Sequence, residues 1–195
     1  MMWKFITSAI DKKQWLDCKN SFQVCFWGRS NVGKSSLLNA ITNQNISFVS
    51  KHPGRTQLIN YFADNNDKYI VDLPGYGYAE ISKEKVIKMN LAVKDFLKNE
   101  PSPKHIFLLI DSRTRFTKND LETLTFLNSL NWNYDIVYTK IDKLNQKEKS
   151  ALIKKHNELN SKIFKKSAQV FLVSSQKNIN LDDIVQHIEK LLYNE

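Results

Sequence analysis

The sequence contains little cysteine, has no long apolar run and lacks the features of an export signal, and each shortage excludes a class of protein. Its two cysteines are too few for a disulfide framework, and Cys25, inside an apolar run, is expected to be a small core residue. No run approaches the roughly 18 apolar residues of a transmembrane helix. The N-terminus has no apolar stretch typical of a signal peptide. We therefore expect residues 1–195 to form a single domain in the cytoplasm, without stable membrane association.

Arginine is also scarce, with four residues, and the net charge of +9 therefore comes mainly from lysine. Nine lysines lie between positions 140 and 166, against three acidic residues. A basic chain is typical of proteins with an anionic partner such as RNA or an acidic membrane surface. A chain rich in lysine and asparagine can equally reflect the base composition of its genome, and a lysine-rich helix can simply be solvated.

Apolar runs of the strand type alternate along the chain with segments of helical periodicity. The expected strands are Ser21–Trp27, Leu58–Ala63, Lys68–Asp72, His105–Asp111, Tyr134–Thr139 and Gln169–Val173. The expected helices are Ser36–Thr42, Lys83–Lys98, Asn119–Ser129, Asn145–Asn160 and a last one that begins after Asn180. This order predicts an α/β fold with a mainly parallel sheet and helices on both faces. Ligands bind such sheets at the carboxyl ends of the strands.

Residues 28 to 35 read GRSNVGKS, the complete G-x-x-x-x-G-K-S phosphate loop, between an expected strand and an expected helix. Gly28 and Gly33 are expected to adopt backbone angles that other residues avoid, so that successive N–H groups surround phosphate oxygens. Lys34 would contact the β- and γ-phosphates, and the Ser35 hydroxyl would bind Mg²⁺. The predicted nucleotide contacts here are Gly28, Arg29, Ser30, Asn31, Val32, Gly33, Lys34, Ser35 and Ser36.

The second motif, Asp72-Leu73-Pro74-Gly75, closes an apolar strand. Asp72 would hold Mg²⁺ through water, and the Gly75 N–H would contact the γ-phosphate and respond to its hydrolysis. Thr56 lies beside Gly54 and Arg55, in the loop before the expected strand Leu58–Ala63. It is expected to complete the Mg²⁺ site and to contact the γ-phosphate.

The third motif, Thr139-Lys140-Ile141-Asp142, also follows a strand. The Asp142 carboxylate can accept hydrogen bonds from the N1–H and the N2 amine of guanine, a donor pair that adenine lacks. The stem of Lys140 would lie over the base. Thr139 stands where most GTPases have asparagine, and loss of that amide is expected to loosen nucleotide binding. Ser174 and Ser175, after the last strand, are expected to direct backbone N–H groups at guanine O6.

Together these segments resemble one family closely. GRSNVGKSSLLNAI, PGRTQLINYF, DLPGYGYA and TKIDK are similar to the EngB GTPases of the TrmE–Era–EngA–EngB–septin class, and the resemblance runs from about Phe5 to the last helix. Thr139 in place of asparagine is typical of that family, whereas Thr114-Arg115-Phe116 lacks the proline usual there. The resemblance implies a Ras-like, three-layer P-loop GTPase domain. It also implies a role in assembly of the large ribosomal subunit, through rRNA and ribosomal proteins, and a requirement for normal growth and division.

Lys34, Thr56 and Gly75 are the residues expected to support GTP hydrolysis. Tyr76 occupies the place where many GTPases have a water-positioning glutamine, so slow intrinsic hydrolysis, raised by a partner, is expected. Tyr76 beside Gly77 can also be interpreted as a docking residue on an exposed, mobile switch. Related GTPases use an asparagine at the position of Asn31 to bind K⁺, which implies K⁺-stimulated turnover.

Several other functions fit parts of the pattern. A metabolic P-loop kinase or ATPase would share the phosphate loop but not the Thr139–Asp142 motif. A switch in cell division or at the membrane, without direct ribosome binding, is the main alternative. A nucleotide-binding module that scarcely turns over is also consistent with the missing glutamine. A lone GTPase domain of this size is expected to be a monomer.

Overall fold

The computed structural model describes residues 2–47, 58–77, 82–130, 132–160, 163–164 and 168–193. The strands are β1 (Lys4–Ala9), β2 (Gln23–Gly28), β3 (Ile59–Ala63), β4 (Tyr69–Asp72), β5 (Lys104–Asp111), β6 (Asn133–Thr139) and β7 (Val170–Leu172). The helices are α1 (Lys34–Thr42), α2 (Lys83–Asn99), α3 (Lys118–Asn128), α4 (Gln146–Asn160) and α5 (Leu181–Tyr193), with short 3₁₀ helices at Lys12–Gln14 and Ile141–Lys143. Within these ranges, no helix has both the length and the apolar character needed to span a membrane.

The strands form one sheet in the order β1-β3-β4-β2-β5-β6-β7. In the described sheet, β3 runs antiparallel to both neighbours, and all pairs from β4 to β7 are parallel. The mainly parallel sheet predicted from the sequence is therefore confirmed. Because parallel strands all end at the same edge, the carboxyl ends of β2, β4, β5 and β6 lie side by side.

The side chains of β2 alternate between two separate cores. Val24 and Phe26 pack with α1 and α5, whereas Cys25 and Trp27 pack on the opposite face with α2, α3 and α4. The strand is buried on both faces, as expected for a parallel sheet covered by helices. The three-layer architecture is thus confirmed. Burial raises the pKa of the Cys25 thiol to about 12, so this cysteine is the uncharged core residue that the sequence predicts.

Strand β1 is missing from the sequence-based expectations. It pairs antiparallel with β3 at the edge of the sheet, with an irregularity between Phe5 and Thr7. Phe5 and Ile6 are both exposed, so the buried–exposed alternation that identifies a strand is lost there. The segment is held by long-range contacts instead: the Trp3 N–H donates to Gln44 Oε1 at 2.7 Å, and the Trp3 ring is buried.

Candidate nucleotide-binding site

The ends of four adjacent strands position the predicted site. β2 ends at Gly28, β4 at Asp72, β5 at Asp111 and β6 at Thr139. The strand register pairs Phe26 with Asp72 and Asp111 with Thr139. The three sequence motifs follow these ends directly, so they lie next to one another at a single edge of the sheet.

Position 28 requires glycine for a different reason from the one that the sequence predicts. Its backbone is not in the left-handed region, which among the described glycines is occupied by Gly33 and Gly77. A Cβ atom at Gly28 would lie 2.8 Å from the Leu109 carbonyl oxygen and 3.0 Å from Val32 Cγ1. The expectation of unusual backbone angles is therefore wrong for Gly28. The position requires glycine because β5 and the phosphate loop approach too closely for any side chain.

Gly33 does adopt the expected conformation, and it opens helix α1. Its φ is +104°, it occupies the N-cap position, and no side chain caps the helix there. The first N–H groups of a helix have no partner within the helix, and the positive end of the helix dipole lies at the same place. An uncapped N-terminus preceded by a tight loop is an arrangement well suited to phosphate.

Backbone hydrogen bonds join the phosphate loop to the segment that follows β4. The Ser30 N–H donates to the Tyr76 carbonyl at 2.8 Å, and the Tyr76 N–H donates to the Gly28 carbonyl at 3.2 Å. The Leu73 N–H donates to the Phe26 carbonyl at 3.0 Å, and the Trp27 indole donates to the Pro74 carbonyl at 3.0 Å. The two predicted phosphate-binding segments are therefore parts of one hydrogen-bonded unit.

Lys34 and Asp72 form a buried ion pair in this unit. Ser47 Oγ lies 3.4 Å from the second Asp72 oxygen, and Ser35 is in the first turn of α1 beside Lys34. The ammonium group expected to contact phosphate and the carboxylate expected to hold the metal therefore lie together. The Asp72 carboxylate and the Ser35 hydroxyl are hard oxygen donors, a set that fits Mg²⁺.

Thr139 ties the third motif to the phosphate loop. Its hydroxyl donates to the Val32 carbonyl at 2.6 Å, and Thr139 is buried. An amide side chain is thus not required for this link, because the shorter hydroxyl reaches the same loop. The expectation that the Thr139 position loosens nucleotide binding stays a prediction.

Lys140 lies across the phosphate loop with its backbone in the left-handed region, at φ +59°. Its Nζ donates to the Asn31 carbonyl at 2.6 Å and to Asp111 Oδ2 at 2.8 Å. Arg113 also donates to Asp111, with Nη2 2.7 Å from the same oxygen. Burial would raise the pKa of Asp111, but the bonds from Arg113 and Lys140 outweigh it and lower the pKa to about 2.

Asp111 is absent from the predicted site residues, although it holds the lysine of the third motif. The sequence signal that could have found it is its position: it is the last residue of an apolar strand, followed at once by Ser112 and Arg113. An acidic residue at such a strand end faces the same edge as the other motifs.

Asp142 is presented by the short 3₁₀ helix after β6 and is held by a neighbouring hydroxyl. Ser174 Oγ donates to Asp142 Oδ1 at 2.6 Å, and Lys143 Nζ lies 3.2 Å from Oδ2. The Ser174 bond is the main reason that the pKa of Asp142 is lowered, with Lys143 adding to the effect. The carboxylate is therefore ionised and oriented, as an acceptor for guanine must be.

The backbone of Ser174 does not have the role that its position predicted. Its N–H donates to the Ile179 carbonyl at 3.1 Å, and the Ile179 N–H donates back to Ser174 at 3.0 Å. That reciprocal pair closes the turn after β7, so this amide is not available to a base. Ser174 contributes through its side chain, and Ser175 lies in the turn that follows.

Tyr76 is buried, so its interpretation as an exposed docking residue is wrong. Its ring packs edge-to-face on Trp27 with centroids 5.5 Å apart, and its hydroxyl donates to Asp120 Oδ1 at 2.8 Å. Burial, together with the neighbouring Asp120 carboxylate, raises the pKa of Tyr76 well above its usual value. Arg29 completes the group, with Nε 3.5 Å from Asp120 and Nη2 2.5 Å from Thr114 Oγ1. An aromatic residue after Gly75 thus extends the core instead of facing solvent.

The remaining predicted residues are distributed as follows. Gly75 is buried beside Tyr76, Ser36 is half-buried in the first turn of α1, and Asn31 is exposed with a φ of +62°. Gly54, Arg55 and Thr56 lie outside the described residues.

Comparison with known proteins agrees with this geometry. Residues 23–140 match the family model described as "50S ribosome-binding GTPase". A probable GTP-binding protein EngB from Mycoplasmopsis agalactiae is 60% identical over 193 residues, covering 98% of this chain and 99% of the relative. The corresponding protein of Thermotoga maritima is 41% identical over 172 residues, covering 87% of this chain and 86% of the relative.

Solved structures give the same fold. Era from Aquifex aeolicus, bound to GDP and AlF4⁻, superposes with a TM-score of 0.70 at 27% identity, covering 90% of this chain and 58% of the Era chain. The chain therefore spans just over half the length of Era. A probable GTP-binding protein EngB superposes with a TM-score of 0.65 at 21% identity, covering 89% of this chain and all of that one.

The order of the strands, the phosphate loop before the uncapped N-terminus of α1 and the oriented carboxylate of Asp142 together define a P-loop GTPase domain. Within that class, the family match and the full-length relatives show that the chain belongs to the EngB family of GTP-binding proteins.

Proposed function

We propose that this protein is a GTP-hydrolysing switch that acts in assembly of the large ribosomal subunit and is needed for normal growth and division. The observation that carries the nucleotide part is the Ser174–Asp142 hydrogen bond at the same sheet edge as the phosphate loop. The large-subunit part is supported by the family description, "50S ribosome-binding GTPase". Era, solved with a segment of 16S ribosomal RNA from the small subunit, supports only a link to ribosomal RNA in general. We propose that it works as a cytoplasmic monomer.

In the proposed complex, the backbone N–H groups from Asn31 to Ser36 surround the phosphates, and Lys34 exchanges its bond to Asp72 for the β- and γ-phosphates. Ser35, Thr56 and Asp72 would hold Mg²⁺, which neutralises the phosphate charge when bound. The Gly75 N–H would contact the γ-phosphate. Tyr76 follows Gly75 directly, and its hydroxyl donates to Asp120 in α3. Loss of the γ-phosphate would therefore change a segment that is hydrogen-bonded to α3.

We further propose that intrinsic hydrolysis is slow. The Tyr76 phenol packs against Trp27 and is bonded to Asp120, so it does not position an attacking water. Tyr76 occupies the position at which many GTPases have the glutamine that does so. Turnover would then depend on a partner, and K⁺ bound near Asn31 would stimulate it. Equal rates in K⁺ and Na⁺, measured with large ribosomal subunits present, would contradict the role of K⁺.

The guanine assignment is tested by exchanging the hydrogen-bonding character of Asp142. Asp142→Asn replaces one of the two acceptor oxygens with an NH2 donor, so GTP affinity should fall and xanthosine triphosphate affinity should rise. Both affinities are measured by competition against a fluorescently labelled guanine nucleotide, with ATP as a control. Unchanged affinity for both nucleotides would place the base elsewhere.

The ribosomal assignment is tested by co-sedimentation with purified large subunits. We expect binding with a non-hydrolysable GTP analogue, weaker binding with GDP, and a steep fall with salt. Lys34→Ala should remove the nucleotide dependence because the ammonium group no longer binds the phosphates. Binding that ignores the nucleotide would reduce the interaction to general charge, and absence of binding with intact GTP affinity would remove the ribosomal role.

A further inference from the structure

A cluster of two histidines and an aspartate lies at the end of the sheet opposite the nucleotide site. His105 is the second residue of β5 and Asp135 the third residue of β6, whereas the nucleotide site lies at the far ends of both strands, at Asp111 and Thr139. His187 reaches the same place from α5. Six residues of extended strand separate the two ends of β5 by roughly 20 Å, so this cluster is independent of the phosphate loop.

The three side chains converge on a single carboxylate oxygen. His105 Nε2 and His187 Nε2 each lie 2.7 Å from Asp135 Oδ2. His105 and Asp135 are buried, and the His187 side chain is 14% exposed. Two of the four histidines in the chain therefore meet at one buried oxygen, and His187 is the member of the cluster that is partly exposed.

The aspartate is fixed and charged. The Gln169 N–H donates to its other oxygen, Oδ1, at 2.7 Å. Burial raises the pKa of Asp135, but the two histidine hydrogen bonds outweigh burial and lower it to about 2. At neutral pH the cluster thus presents one buried anion and two imidazole nitrogens from three different elements of a rigid scaffold.

We propose that His105, Asp135 and His187 form a binding site for a divalent metal ion of the zinc type. The ligand atoms all lie within 4.8 Å of one another. Two imidazole nitrogens and one carboxylate, with a fourth position for water, are a recurrent zinc donor set. The Gln169 N–H on the free carboxylate oxygen is the kind of outer contact that orients a metal ligand.

Binding requires a small opening of the cluster. Zinc bonds of about 2.0–2.1 Å in a tetrahedron place neighbouring ligand atoms roughly 3.3 Å apart, so each nitrogen must move from Asp135 by roughly 0.6 Å. Each imidazole must also present the lone pair of Nε2, with its proton on Nδ1. The rings of Phe107 and Phe171 pack against His187, with centroids 5.9 and 5.4 Å from that of the imidazole, and restrict its orientation.

The test uses the full chain without an affinity tag, stripped with a chelator and then saturated with Mg²⁺ and GDP to occupy the nucleotide site. Zn²⁺ is titrated in competition with a chromophoric chelator, and Co²⁺ is added separately to record its visible ligand-field absorption. We expect one Zn²⁺ per chain and a tetrahedral Co²⁺ spectrum. His187→Gln should weaken Zn²⁺ binding at least tenfold and leave GDP affinity unchanged.

His156→Gln is the matched control, because His156 is also buried but its ring bonds to Tyr138, away from the cluster. It should bind Zn²⁺ as the unaltered chain does. If His187→Gln does not fold, protection of histidines from diethyl pyrocarbonate by Zn²⁺ in the unaltered chain gives the same answer. Absence of Zn²⁺ binding, or equal binding by His187→Gln, would overturn the proposal and leave the cluster as a hydrogen-bonded brace.

Discussion

The hydroxyl group of Thr139 connects two parts of the nucleotide site. It joins the third motif to the phosphate loop through the Val32 carbonyl, at a position where an amide is usual. Both partners are buried, so the bond is shielded from water and its loss leaves a carbonyl with one partner fewer. Single hydroxyls have the same importance at Ser174, which orients Asp142.

Thr139→Val should weaken GDP binding about fivefold, because it keeps the shape and removes a hydrogen bond of about 1 kcal/mol. Titration with a fluorescent GDP analogue measures the change. Thr139→Ser keeps the hydroxyl and is the matched control. If valine binds as well as threonine, the bond to Val32 does not support the nucleotide site.

Asp111 predicts a dependence of stability on acid pH. Its pKa is about 2, against an ordinary value of 3.8, so the folded state favours the ionised form. The resulting stabilisation is present above about pH 4 and is lost as the pH falls toward 2. The side chain is 5% exposed, and the shift corresponds to about 2 kcal/mol.

Asp111→Asn should therefore be less stable than the unaltered chain at pH 7, with the difference shrinking between pH 4 and pH 2.5. Urea unfolding across this range measures it. Asp67→Asn, in the exposed turn between β3 and β4, is the control and should leave the curve unchanged. Parallel stability curves for Asp111→Asn and the unaltered chain would show that Arg113 and Lys140 do not stabilise the folded state through this carboxylate.

At the scale of elements, the link between the end of β4 and α3 is not visible in the sequence. The Tyr76 hydroxyl bonds to Asp120, whose other oxygen accepts from the Thr117 N–H at 2.7 Å at the N-cap of α3. Asp120 is therefore both a helix cap and the anchor of the loop that follows Gly75. A buried tyrosine in this place makes the loop and the helix a single unit.

Tyr76→Phe should lower the free energy of unfolding by about 2 kcal/mol, since it removes a buried hydrogen bond to a charged group. For a chain of this size the melting temperature should fall by about 4–8 °C. A double-mutant cycle with Asp120→Asn isolates the pair. Additive effects of the two changes would mean that the hydroxyl and the carboxylate are not coupled.

Helices and strands whose apolar residues recur with a clear period are predictable from the sequence, whereas those that depend on contacts with distant residues are not. The strands that end at Asp72, Asp111 and Thr139 end where the sequence predicts, because apolar runs mark them. Strand β1 escapes prediction because its exposed Phe5 and Ile6 break the alternation. The need for glycine at position 28 and the burial of Tyr76 also depend on neighbours far along the chain, which no local pattern reports.

On the scale of the whole molecule, the two ends of the sheet carry side chains suited to different ligands. Its carboxyl edge gathers the groups that fit a guanine nucleotide, and the opposite end gathers His105 and Asp135. Outside both lies α4, whose Lys147, Lys154 and Lys155 are exposed. With four lysines and two glutamates, α4 carries a net charge of +2, and Lys155 pairs with Glu158 at 3.1 Å. This part of the positive charge lies on a surface that a nucleotide does not occupy and can attract an anionic partner.

The lysines of α4 predict how the proposed binding to the ribosome depends on salt. Replacing Lys147, Lys154 and Lys155 by glutamine should weaken co-sedimentation with large subunits at about 150 mM salt, a condition near physiological strength. The logarithmic salt slope should fall by roughly 0.7–0.9 for each phosphate that the variant no longer neutralises, while GDP affinity stays the same. Glutamine at Lys12, Lys13 and Lys19, which are also exposed, is the matched control because it removes the same charge elsewhere. Equal weakening in both triple variants would mean that net charge alone attracts the ribosome, whereas weakening confined to the α4 variant would make this helix the face that binds rRNA.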